Sequence, residues 1–194
     1  MDLSHLKGAA RIEAAHQLHP WLAEPDHTGP LDLDRIADDD TLTFPGIYTI
    51  AGTIWGEPLT LYAGEAVCIA DRIVSHFAGP EAFFRTGLQD RIEALETATG
   101  PCENITLSAW RIEGNQPERR DRERDALDAL GAVLEYKDRR AATCLPDRIA
   151  EALDAHERKA VDQGRTVCRA AGEPAMKSPR APNVSFHHPP PITP

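Results

Sequence analysis

No stretch of this sequence is apolar for long. Each run breaks within a few residues, far short of the ~20 that a membrane helix needs, so no membrane association is expected. The chain opens Met1-Asp2-Leu3-Ser4-His5, without the basic region and apolar core of a secretory signal. A cytoplasmic protein is the expectation. Cys68, Cys102, Cys144 and Cys168 are far apart, and no Cys-x-x-Cys pair offers the spacing of a zinc or redox site. A core of this size needs no disulfide staples, so free thiols are expected. Positive charge is scarce as well, with 21 Lys and Arg against 31 Asp and Glu, a net charge of −10. Such a chain repels polyanions at long range, which excludes a broad basic surface for nucleic acid and leaves only a local site. No internal repeat is present, which excludes solenoids and propellers.

What remains is a globular composition, 41% hydrophobic and 27% charged in 194 residues, the size of one domain with a small appendage. Residues 6–24 carry Leu6, Ile12, Ala15, Leu18 and Leu22 at helical spacing. Residues 25–45, rich in Pro, Gly and Asp, read as a connector. Gly46–Ala51 and Leu59–Ala63 alternate on either side of Trp55-Gly56-Glu57-Pro58, a hairpin pattern. Helices follow over 66–77 and 87–98, each stopped by Gly-Pro, then a strand over 105–112. Helical stretches over 118–139 and from Pro146 to about 162 come next. The expected fold is α+β, a small three-stranded antiparallel or mixed sheet flanked by helices. The expected division is a helical N-terminal extension and acidic linker over 1–44, a core domain over 45–162 and a flexible Pro-rich tail over 163–194.

The chemistry concentrates in residues 46–76. A hairpin centred near Trp55 places Tyr48 opposite Tyr62 on one face of the sheet. Gly64 allows a tight turn into the next helix, where Arg72 and His76 are four apart and share a face. Two phenols, a guanidinium and an imidazole then converge. That set suits a phosphodiester: Arg for the charge that builds on phosphorus oxygens, Tyr or His for proton transfer.

In these residues the chain resembles the GIY-YIG nuclease family. Gly46-Ile47-Tyr48 is intact, Tyr62-Ala63-Gly64 differs only at its middle residue, Arg72 is ten after Tyr62, and His76 is four after Arg72. The resemblance covers residues 45–140. It implies a GIY-YIG-like endonuclease that hydrolyses DNA phosphodiester bonds with Mg²⁺ or Mn²⁺, in a restriction, defence, mobile-element or repair setting. It further implies Tyr48, Tyr62, Arg72, His76 and Glu123 as catalytic residues. In the implied mechanism Tyr48 helps to deprotonate the attacking water, although an unperturbed phenol near ~10 is a poor base at neutral pH. His76 supplies or relays that proton, Tyr62 holds the phosphate, and Arg72 stabilises the developing charge. Glu123 is carried over as the metal ligand, with Glu135 the alternative and Glu118 a third choice.

This sequence departs from the family pattern at Glu65, which puts a negative charge where members often have Lys or Ser, and in lacking the Asn that often follows the metal glutamate. Those departures motivate the alternative, a GIY-YIG-like subunit that binds or assembles without cutting. The N-terminal helix and the Pro-rich tail, with Pro189-Pro190-Pro191, are the segments expected to meet a protein partner.

Overall fold

The computed structural model describes residues 3–78, 82–134 and 145–162. Helix α1 (Gly8–Leu18) leads into a 3-10 turn at Pro20–Ala23, strand β1 (His27–Pro30), helix α2 (Leu33–Ala37) and a second 3-10 turn at Asp40–Leu42. Strands β2 (Gly46–Ile54) and β3 (Glu57–Ala66) form a hairpin, followed by helices α3 (Ile69–Ala78) and α4 (Ala82–Thr99). Strand β4 (Glu103–Arg111) and helices α5 (Gln116–Leu130) and α6 (Asp147–Asp162) complete the described elements.

The architecture is α+β, and the sheet has four strands in the order β1-β4-β2-β3, with every neighbouring pair antiparallel. The expected count of three strands is corrected by β1, inside the stretch read as a connector. His27-Thr28-Gly29-Pro30 pairs with Thr106–Ala109 of β4. Four residues with a Gly and a Pro carry almost no strand signal, yet an edge position tolerates both because one side of the strand needs no ladder. Residues 3–44 also pack into the core on both faces of the sheet. Leu3, Ala15 and Leu22 pack with Ile47 and Trp110, while Ile36, Leu42 and Phe44 pack with Tyr48 and Ile50.

β2 and β3 turn through Trp55 and Gly56 alone, at φ 54° and 81°. Two positive values in a two-residue loop match the natural twist of a hairpin. The turn is therefore shorter than the four residues expected. Arg148 of α6 stacks over the Trp55 ring at 4.5 Å. A bulge interrupts the ladder: Ile50 pairs with Tyr62 but Ala51 pairs with Thr60, which leaves Leu61 as the extra residue. The bulge shifts the alternation, so Leu59 joins Tyr62 and Gly64 on the face that carries Tyr48, Ile50 and Ile54.

The two sheet faces are covered differently. On the Tyr48 side, Ile69 and Ile73 of α3, Leu88 and Leu95 of α4 and Ile149 of α6 meet Ile50, Ile54 and Leu107. On the Ile47 side, α1 and α5 close over Trp110 through Ala15, Ala126, Ala129 and Leu130. Helix α5 stops at Gly131, in the left-handed conformation at φ 70°, and does not run on to 139 as the apolar spacing suggests. After it, the amides of Val133 and Leu134 donate to the Thr60 and Leu61 carbonyls at 3.0 and 2.8 Å, which covers the outer edge of β3. Glu135 and the Pro-rich tail lie outside the described residues. Among the described residues, no helix is long and apolar enough to cross a membrane.

Candidate active site

Tyr48 faces Gly64 across the hairpin, and Tyr62 faces Ile50. The two phenols are diagonal neighbours rather than the opposed pair that the hairpin pattern suggests, because the turn is shorter and the strand is bulged. They still share a face, with ring centres 6.0 Å apart. The diagonal arrangement needs Gly64. A Cβ there would lie 2.7 Å from the Tyr48 oxygen, 2.9 Å from its Cζ and 3.0 Å from Cε1 of Tyr62, so both rings lie over bare backbone.

Helix α3 brings the other two groups. Ile69 and Ile73 fix its buried stripe, both fully enclosed, and His76 continues that stripe one turn on. The Tyr48 hydroxyl and His76 Nε2 form a hydrogen bond at 2.9 Å. The imidazole stands edge-on to the Tyr62 ring at 5.5 Å between centres. Arg72, one turn earlier, places its positive charge close enough to Tyr48 to favour the ionised phenol. Tyr48, Tyr62, Arg72 and His76, named from the sequence alone, thus converge on one spot. Tyr48 is 0% exposed and His76 is 4% exposed, while Tyr62 and Arg72 are partly exposed.

Enclosure sets the protonation of the buried pair. Burial, followed by the nearby Tyr62, holds the Tyr48 phenol well above its ordinary value near 10.0, and Arg72 offsets part of that rise. Burial also lowers His76, with Arg72 adding to the effect, from 6.5 to about 4. Both groups are therefore neutral at neutral pH. Neutral His76 favours the fold at any pH above its unfolded value near 6.5. As pH falls towards 4, the unfolded chain takes up a proton that the folded one resists. At ~1.36 kcal/mol per unit, the loss through that window reaches about 3 kcal/mol. Tyr48, Tyr62 and Arg72 face the imidazole, and none of them is acidic. Urea unfolding at pH 7.5, 5.5 and 4.5 checks this: His76→Asn flattens the acid side of the profile, and an unchanged acid slope would contradict it.

No family model, curated protein or solved structure matches the chain. The reading of the site therefore stands on its geometry and on the motif spacing.

Glu65 does not oppose Arg72. It pairs with Ile47 across the hairpin and so points to the other side of the sheet. There its carboxylate meets Arg119 Nε at 3.2 Å, with side chains 16% and 8% exposed respectively, and Arg120 Nε at 3.8 Å. Gln116 Nε2 donates to it at 3.2 Å, and the Arg119 guanidinium also donates to the Gly114 carbonyl at 2.7 Å. The charge expected beside the phosphate site is thus neutralised on the far face. Arg119 was not singled out by sequence, because the run Glu118–Asp125 reads as a solvated helix start. Part of that run does behave so, as in the exposed Arg124–Asp121 pair at 3.1 Å.

Glu123 lies four residues after Arg119, on the helix that packs against Ile47 and Trp110. The phenols leave β2 and β3 on the opposite side of the sheet, and the structure does not bring Glu123 to the four converging groups. Glu118 is an exposed first-turn residue of the same helix. Among the described residues, no group of three or more His, Cys, Asp or Glu is placed to hold a metal ion. The described lining of the site, with one imidazole and a guanidinium, does not fit a divalent cation by itself. The last described residue before Glu135 is Leu134, bonded to the Leu61 carbonyl one residue from Tyr62.

Proposed function

We propose that residues 45–134 form the core of a GIY-YIG-like nuclease domain and that the Tyr62–Arg72 surface acts on a nucleic-acid phosphodiester. The observation that carries this reading is the convergence of Tyr48, Tyr62, Arg72 and His76, with a 2.9 Å bond joining Tyr48 to His76, on the hairpin and helix where the motif spacing expects them. Water adds to phosphorus and one P–O ester bond breaks. Negative charge builds on the non-bridging oxygens as it does so, and Arg72 is the cation on hand to stabilise it. Neutral Tyr48 and His76 hold that guanidinium and the Tyr62 ring in place. DNA is the proposed substrate, with Mg²⁺ or Mn²⁺ as an added requirement whose ligands the described residues do not supply.

A second reading is favoured by the absence of a carboxylate cluster among the described residues. In it, the same surface grips a phosphate without hydrolysis, as a binding or assembly module, and the partner contributes through α1 or the Pro-rich tail. Net charge of −10 suits a protein that meets DNA only where a partner presents it.

One assay separates these readings. Supercoiled plasmid is incubated with wild type, Arg72→Ala, Glu123→Ala and Glu135→Ala, with Mg²⁺, Mn²⁺ or EDTA. The expected result is metal-dependent nicking, cut roughly 100-fold by Arg72→Ala. Glu123→Ala should nick like wild type, since its helix lies on the other face, and loss with Glu135→Ala would name the carboxylate. Intact plasmid with a folded wild-type protein rejects hydrolysis and leaves phosphate binding, which a filter assay then measures.

A further inference from the structure

The exposed face of α1 and the tip of the hairpin take no part in the phosphodiester site. Ala9, Ile12, Glu13 and His16 recur at helical spacing on α1 and, with Pro58 of β3, line an open groove. This is not the face that carries the buried Arg11 and Ala15. Pro58 is three residues from Trp55, which is 44% exposed. Trp55 stands at φ 54°, where a hairpin turn ordinarily carries Asn, Asp or Gly. The fold thus holds a large indole out at the tip, with Arg148 over one face of the ring. Glu57 links the tip to the groove. It is exposed, and its carboxylate lies within 2.8 Å of the place that a Cβ would take on Gly8, at the start of α1. Lys7 is paired with Asp147. Among the described residues, Glu13 and Glu57 form no ion pair.

We propose that this surface binds the chain's own residues 177–182, Lys177-Ser178-Pro179-Arg180-Ala181-Pro182. Pro179 and Pro182 have the Pro-x-x-Pro spacing of ligands that lie as a polyproline II helix against exposed aromatic rings. Trp55 supplies the ring, and Lys177 and Arg180 supply the charge that complements Glu13 and Glu57. Arg148, over one face of the indole, keeps those cations on the groove side. The charge contrast along the chain is steep. Residues 163–194 hold four Lys or Arg and one Glu, in a chain with 21 Lys and Arg against 31 Asp and Glu. Reach fits as well. Helix α6 begins beside the groove, with Pro146 3.8 Å from the Gly8 Cβ position, and its 16 residues carry the chain about 24 Å away at ~1.5 Å per residue. Lys177 comes 15 residues after Asp162, and an unconstrained chain of that length spans roughly 20 Å root-mean-square. Span and distance match, the condition in which a tethered segment reaches its highest effective concentration. The docked segment covers the α1 face, so a protein partner that uses α1 must first displace it.

Carbodiimide cross-linking of the full chain tests the contact. The reagent joins a carboxylate to a lysine amine that touches it, and mass spectrometry locates the amide. The expected result is Lys177 joined to Glu13 or Glu57, with a yield that falls about fivefold or more at 1 M NaCl, where the screening length is about 3 Å. Trp55→Ala should lower the yield by a similar factor. Because Trp55 is in the hairpin turn, a chain with both Pro179→Ala and Pro182→Ala is the second variant. Its changes lie beyond α6, so the same loss there reports docking and not unfolding. An equal mixture of isotope-labelled and unlabelled chains identifies the occupant. Amides within one label class alone support docking in the same chain, whereas mixed-label amides place a second copy on the groove and overturn it. Amides from Lys177 to other carboxylates, no amide at all, or a yield unchanged in both variants also overturn the docking. None of these outcomes depends on nicking, so the nuclease reading stands or falls separately.

Discussion

Gly46→Ala should fail to reach the native fold, or reach it with at least about 5 kcal/mol less stability, a scale reserved for severe core and backbone disruptions. Gly46 opens the Gly-Ile-Tyr motif, and its requirement is steric. A Cβ at this position would lie 2.0 Å from the Trp110 carbonyl oxygen, 3.0 Å from its carbon and 3.4 Å from the Arg111 Cα. All three are backbone atoms, so no side-chain rotation relieves the clash. Gly46 pairs with Arg111, and the Ile112 amide donates to the Pro45 carbonyl at 2.9 Å. Separating β2 from β4 at this end therefore opens the ladder at the centre of the sheet, two residues from Tyr48.

The control is Gly56→Ala in the hairpin turn. Gly56 has nothing within 4 Å of an added Cβ but sits at φ 81°, so only backbone conformation opposes a side chain, at about 1–2 kcal/mol. Circular dichroism and urea unfolding separate the two variants. A Gly46→Ala protein that unfolds near the wild-type midpoint would mean that β2 and β4 do not approach as described.

The sequence was most legible where the signal is local. Parity along the strands placed Tyr48 and Tyr62 on one face, and a four-residue spacing placed Arg72 and His76 together. Their register was not legible, because the bulge at Leu61 and the two-residue turn leave the count of apolar residues unchanged. Strand β1 was missed because Gly29 and Pro30 look like loop residues, and only pairing with β4, some eighty positions away, makes them a strand. The end of α5 was misplaced because Ala132, Val133 and Leu134 continue its apolar pattern while the left-handed Gly131 breaks the helix.

The candidate site divides the same way. The order of motifs along a chain does not say which side of a sheet a later helix will cover. Glu123 was therefore nameable from the resemblance, and its position on the Ile47 side was not. Glu65 looked like a misplaced charge beside Gly64. Its neutralisation by Arg119, 54 positions later, is a tertiary contact that no local pattern encodes.

Arg11→Ala should lower stability by about 4 kcal/mol, the loss expected when several buried acceptors lose their donor together. Arg11 lies on α1, only 5% exposed. Its guanidinium donates to the carbonyls of Ala129 at 2.9 Å, Leu3 at 2.8 Å and Asp128 at 2.7 Å, with a longer contact to Leu6 at 3.5 Å. Asp128 and Ala129 are in the last turn of α5, where carbonyls lack helical partners and the helix end is negative. A fixed positive fork is therefore a tertiary cap, and it ties the first helix of the chain to the helix that covers Ile47. Arg11→Met keeps most of the apolar stem and removes every donor, so a loss close to that of Arg11→Ala would assign the effect to hydrogen bonding rather than packing. Arg11→Lys should fall between, because an ammonium cannot span the three main carbonyls. Urea midpoints at constant m-value measure all three, and an Arg11→Ala loss below about 1 kcal/mol would contradict the cap. The same bonds tie residues 3–44 to the rest of the fold: a chain that starts at residue 45 lacks Arg11, β1 and Leu22, and should not fold.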